Sequence, residues 1–161
     1  MTMLTSPAVP AMPRARDGVV SGVPRIVLRM EGAIVLAAST FAYAKLDGHW
    51  LVFALLFFAP DLSMLGYFAG RRIGAISYNL GHSYGLPAAL GAMGVLSGRH
   101  ILWALALIWV AHIGLDRMFG YGLKYVTAFG VTHLGLHGKA KSKKGDVRDV
   151  SADQVQSGAR A

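Results

Sequence analysis

Between residues 26 and 119 the chain alternates long apolar stretches with short polar links. Four stretches stand out, at 26–44, 49–69, 73–96 and 100–119. A bilayer core is crossed by ~20 predominantly apolar helical residues, and each stretch is near that length. The first carries Arg29 and Glu31 near its start, and the third is rich in Gly and Ala. The links at 45–48, 70–72 and 97–99 are short enough to make sequential helices antiparallel neighbours. The pattern therefore predicts an all-α fold, an integral membrane four-helix bundle running up-down-up-down. Pro60 should kink the second helix, because it has no backbone donor. Gly66/Gly70 and Gly81/Gly85 are each four apart, with Ser77, Ala88 and Ala92 extending a small-residue face on the third helix. Small faces let helices approach closely in lipid, and they leave room for a homo-oligomer.

The flanks read differently. Residues 1–24 contain Pro7, Pro10, Pro13 and Pro24 and no apolar run, which predicts a disordered cytoplasmic leader and no cleaved signal peptide. The transmembrane domain is expected over 25–138. Its last part, 120–138, is glycine- and aromatic-rich, too broken for a fifth span, and is expected to cap the bundle. Residues 139–161 are polar and basic and read as a disordered tail.

Composition supports a membrane protein: 54% of residues are hydrophobic and only 15% charged, against roughly 25% in ordinary soluble domains. Cysteine is absent, which excludes disulfides, thiolate metal sites and cysteine nucleophiles. The net charge of +8 suits topology and contact with anionic lipid better than nucleic acid, which is not an expected partner. If the N-terminus is cytoplasmic, all of the 16 basic residues except Lys45 and Arg99 fall on that side, Arg71 and Arg72 among them. This predicts a multi-pass protein with both termini inside. The lysines of the tail are placed to touch anionic headgroups, at about 1 kcal/mol each.

Ionisable side chains inside a span are costly and mark a site or a buried pair. Here they are Glu31, Asp61, His82, His112 and Asp116, with Asn79 and Ser83 beside them. Counting 1.5 Å per helical residue places them all in the cytoplasmic half of the membrane. His112 and Asp116 share a helix face, as do Asn79, His82 and Ser83. Asp61, His82, His112 and Asp116 are candidate metal ligands. Mixed imidazole and carboxylate donors suit a divalent transition metal such as zinc, manganese or iron. Tyr78, Lys124 and His133 are candidate supporting groups. A haem between His82 and His112 fits a bundle but is poorly served by the adjacent carboxylates. The contrasting reading is a non-catalytic membrane scaffold or partner-binding subunit, whose polar cluster only fixes helix packing.

The strings APDLSMLGY (59–67), YNLGHSYGLP (78–87) and AHIGLDRMFGYGLKY (111–125) resemble a family of small bacterial integral membrane proteins of unknown function. The resemblance runs over about 30–138 and implies location in the bacterial inner membrane. A looser likeness, in Pro-Asp, His-Ser and His-x-x-x-Asp, is to inner-membrane metal-dependent hydrolases. It implies that Asp61, His82, His112 and Asp116 act as metal ligands or water activators. The His-Arg pair expected before the second motif is absent, with Tyr78-Asn79 in its place.

Overall fold

A computed structural model describes residues 18–126 and 129–137. The expected tail at 139–161, and residues 1–17 of the expected leader, lie outside the described residues. Helix α1 spans Gly22–Ala44, α2 Trp50–Phe57, a 3₁₀ helix Ala59–Ala69, α3 Arg71–Gly81, α4 Gly85–Ser97 and α5 His100–Phe119. A two-stranded antiparallel hairpin follows, β1 Val131–Thr132 and β2 Gly135–Leu136. The protein is thus mainly helical. Three stretches, Gly22–Ala44, Trp50–Ala69 and His100–Phe119, are long and apolar enough to cross a membrane. Their outer faces leave large apolar side chains exposed: Leu51 is 72% exposed and Phe68 91%. Contiguous apolar surface on this scale is rare on soluble monomers.

The third apolar stretch is not the single helix its composition predicts. It is broken at His82–Ser83–Tyr84 into α3 and α4. The cause is Pro87, which cannot donate to the Ser83 carbonyl four residues back and whose ring would crowd it. Running a helix through that point costs ~3 kcal/mol or more. Pro60 acts in a related way on the second stretch. There α2 ends at Phe57 and the chain continues as a tighter 3₁₀ helix, with the Asp61 amide bonded to the Phe58 carbonyl at 3.1 Å. In that geometry side chains three apart are eclipsed. Pro60, Ser63 and Gly66 therefore form one row. Ser77 Oγ donates to the Ser63 carbonyl at 2.5 Å, tying α3 to this row.

Helix α1 packs along α5, the 3₁₀ helix along α3, and α4 along α5. Close approach uses one glycine of each expected pair, and glycines outside them. Gly66 meets Ser77, and Gly81 meets Ser63 and Pro60, but Gly70 faces open space and Gly85 nearly so. Helices α1 and α5 cross backbone to backbone, where Gly114 lies against Gly32 and Leu36. An apolar cluster of Tyr43, Leu107 and Ile108 joins the C-terminal end of α1 to the middle of α5, with Phe53 and Phe57 of α2 packed onto it.

The segment after α5 is ordered where described. Gly120, in left-handed conformation, ends α5, with the amides of Gly120 and Tyr121 returning to the carbonyls of Arg117 and Asp116. This is the Schellman pattern. Arg29 Nε donates to the Met118 carbonyl at 2.8 Å. The hairpin is tied to the N-terminal side of α1 by a bond from the Val20 amide to the His133 carbonyl at 2.7 Å. Helix α1 begins at Gly22, within the stretch expected to be leader.

Candidate metal centre

The helix break and the 3₁₀ turn meet at one point. Asp61 lies in the first turn of the 3₁₀ helix, His82 ends α3, and His112 projects from the middle of α5. Their donor atoms form a small triangle. His82 Nε2 is 3.3 Å from Asp61 Oδ1 and 3.2 Å from His112 Nε2, and His112 Nε2 is 3.6 Å from Asp61 Oδ1. Asp116 Oδ2 approaches His82 Nε2 at 3.5 Å and accepts the Tyr78 hydroxyl at 3.1 Å. Among the described residues, the group able to share one ion is Asp61, His82 and His112, and Asp116 stands beside it. The two imidazoles are buried, at 3% and 2% side-chain exposure, whereas Asp61 is 42% exposed.

The break holds His82 in place because its freed carbonyls find donors. A helix end leaves its last carbonyls unpaired, and in lipid each unpaired group is expensive. Trp109 Nε1 donates to the Gly81 carbonyl at 2.6 Å and Arg117 Nη2 to the His82 carbonyl at 3.2 Å. The Tyr78 carbonyl receives the His82 amide at 2.8 Å and lies 3.0 Å from His82 Nδ1. The His82 ring also stacks on Tyr78 at 3.8 Å between centroids. His112 is held by aromatic edges, with the Phe57 ring at 5.4 Å and the Phe58 ring at 6.4 Å.

This packing settles one tautomer. The Tyr78 carbonyl can only accept, so Nδ1 of His82 carries a proton and neutral His82 presents a lone pair at Nε2. That lone pair then faces two carboxylate oxygens and a second imidazole nitrogen. His112 can supply one proton through Nε2; its Nδ1 is buried without a hydrogen-bond partner among the described residues. Acceptors outnumber donors, and a cation at the centre resolves the shortage. A tetrahedral ion with bonds of about 2.0–2.1 Å holds its ligand atoms about 3.3–3.4 Å apart, close to this triangle. His82 Nδ1 on a backbone carbonyl is the outer contact that metal-bound histidines usually make. The donors therefore fit a divalent transition metal. They do not fit haem, since the rings of His82 and His112 are 5.2 Å apart, too close to admit a porphyrin plane.

The other candidate residues have separate places. Asn79 clamps the chain after α5: its Oδ1 accepts the Lys124 amide at 2.7 Å and its Nδ2 donates to the Lys124 carbonyl at 3.0 Å. Lys124 is buried, its Nζ 3.5 Å from the Phe129 ring centroid and 4.1 Å from that of Tyr78. Burial holds its pKa down to about 8, with Asp116 and Asp61 pulling the other way. His133 Nδ1 accepts the Leu123 amide at 2.9 Å, and its Nε2 lies 3.1 Å from Arg117 Nη1. Burial, then the Arg117 guanidinium, lowers its pKa. Ser83 Oγ donates to the Leu80 carbonyl at 3.3 Å, and Glu31 is exposed on α1; neither joins the triangle. Arg117 turns inward, because the broken helix offers it a carbonyl. Arg117 and Trp109 carry no spacing signal for these roles, since each serves only where the broken helix leaves a carbonyl in reach.

These features define a helical protein with membrane-length apolar helices and two buried histidines clustered with carboxylates. The chain belongs to the family described as Domain of unknown function (DUF4260), whose model matches residues 25–136. No curated protein and no solved structure matches it.

Proposed function

We propose that this chain is a multi-pass inner-membrane metalloprotein in which Asp61, His82 and His112 bind one divalent transition metal, zinc foremost, for hydrolysis of a membrane-proximal substrate. The observation that carries this reading is the triangle itself. Three donors from three separate elements converge at 3.2–3.6 Å around a point where protein protons are too few. In the membrane, α3 and α4 act together as a broken third span and both termini face the cytoplasm, in keeping with the distribution of basic residues. The basic tail supplies contact with anionic lipid.

When bound, the metal supplies Lewis acidity and lowers the pKa of a coordinated water. The chain's own groups divide the remaining work. His82, fixed through Nδ1 on the Tyr78 carbonyl, and His112, wedged by Phe57 and Phe58, keep the donor triangle rigid. Asp116, not needed as a ligand, is positioned to take a proton from water, and the Tyr78 hydroxyl orients its carboxylate. Hydrolysis adds hydroxide to the electrophilic centre of the substrate and returns the proton to the leaving atom. The partly exposed Asp61 marks the side from which substrate enters.

The scaffold reading rests on one observation of its own. A doubly protonated His82 would set one Nε2–H and a positive charge between Asp61, Asp116 and His112 without a metal, as an ionic lock. Metal analysis of protein purified in detergent without chelators separates the two. The metalloprotein reading expects about one equivalent of metal per chain, lost in His82→Ala and His112→Ala and retained in Asp116→Asn. Wild-type protein that folds but carries no stoichiometric metal, and takes up none from a zinc buffer, refutes it in favour of the scaffold.

A further inference from the structure

Beside the triangle lies an apolar cleft of about 260 Å³. Leu56, Ala59 and Pro60 form one wall, Leu90 of α4 another, and Ile108 and Trp109 of α5 a third. Its only indole N–H is already committed to the Gly81 carbonyl, so the cleft offers a ligand no free polar group from Trp109. The cleft adjoins the triangle through two elements. Pro60 immediately precedes Asp61, and Ile108 lies one turn before His112 on the same side of α5. The cleft also sits within an apolar stretch long enough to cross a membrane, whose outward side chains Leu55 and Leu62 are exposed.

From this continuity we infer that the cleft seats one hydrocarbon chain of a single-chain membrane amphiphile, whose polar linkage is thereby brought to Asp61, His82 and His112. The inference rests on the metal-hydrolase reading and adds the substrate class to it. Three features select this occupant. Pockets for drug-sized molecules begin at roughly 300 Å³, so the cleft is too small for a bulky ring system or headgroup but suits a chain. Its lining matches a chain along its whole length. The one triangle residue with an open side chain, Asp61, is on the wall that the chain would follow, whereas a water-soluble substrate would have to reach that side through hydrocarbon. The indole of Trp109, pinned by its hydrogen bond, makes a fixed wall at the end nearest the metal ligands.

Trp109 also provides the test. The double variant Trp50→Phe/Trp103→Phe leaves it as the only indole of the three in the chain. This protein, in nanodiscs of saturated phosphatidylcholine, is titrated with bromoundecanoic acid while its fluorescence and zinc content are measured. The expected result is saturable quenching. Adding Ala59→Phe, which sets a ring on the cleft wall at a position that is not a metal ligand, should weaken that saturable component about tenfold or more, since buried methylenes are displaced, and leave zinc content unchanged. Quenching that rises without saturation and is the same with Ala59→Phe overturns the cleft proposal even where zinc is bound. Saturable, Ala59→Phe-sensitive quenching in protein that binds no metal overturns the substrate assignment through the metal reading, and leaves a chain-binding site.

Discussion

Gly114→Ala probes the contact on which α5, and with it His112, is seated. A Cβ at Gly114 would lie 2.7 Å from the Leu36 backbone nitrogen, 2.9 Å from the Gly32 carbonyl oxygen and 3.1 Å from the Leu36 Cα. All three neighbours are backbone, so no rotamer change relieves the clash. Reaching ordinary contact at 3.4 Å requires α1 and α5 to separate by about 0.7 Å along the shortest of these lines. A gap of that size forfeits a quarter to a half of each dispersion contact it opens, and overpacking of this kind costs about 1–3 kcal/mol. The greater helix propensity of alanine returns at most about 1 kcal/mol. The net expectation is destabilisation by about 1–2 kcal/mol, measured as a shift in unfolding by sodium dodecyl sulfate in mixed micelles. Gly85→Ala is the control. Its nearest neighbour is Ser83 Oγ at 4.0 Å, so that substitution should be neutral or slightly stabilising. If Gly114→Ala proves as stable as the parent while the Gly85 control behaves as described, the α1–α5 approach is looser than argued and the reasoning fails.

Trp109→Phe strips the Gly81 carbonyl of its donor and should cost about 1 kcal/mol in the same unfolding assay, within the range seen for polar contacts between membrane helices; no loss would mean that the broken end of α3 finds another donor. Asn79→Ala removes both bonds to the Lys124 backbone, so amide exchange at Lys124 and along β1 should quicken at least tenfold while that of α5 is unchanged, as read by hydrogen–deuterium exchange. Lys124 carries a pH signature: its folded pKa of about 8 lies below the ordinary lysine value of about 10.4. Between those two values the unfolded chain binds the extra proton, so stability should rise as pH increases from about 8 to 10. Below about 8 the ammonium is charged in both states and its full burial cost persists. Lys124→Met should abolish that slope, and an unchanged slope would assign it to another group.

The membrane-length stretches follow from local composition, because hydrocarbon accepts a run of apolar residues whatever their partners. The ionisable residues were legible for the same reason: Asp61, His82 and His112 stand out as charges where charge is costly. The helix ends were partly legible. Pro60 signalled the change of geometry before Asp61, and Pro87 carried an equal signal for the break at His82, since both deny the backbone a donor at a fixed offset. Which residues meet depended on the third dimension. That Asp116 faces His82 and Tyr78 while Asp61 completes the triangle depends on the rotation of α5 and the tight winding of the 3₁₀ helix, which spacing along the chain does not encode. Gly32 and Gly114 are isolated glycines, and only the crossing of α1 and α5 makes them contacts. Arg117 turns inward because a broken helix left a carbonyl in reach, a long-range satisfaction of hydrogen bonds that no local pattern announces.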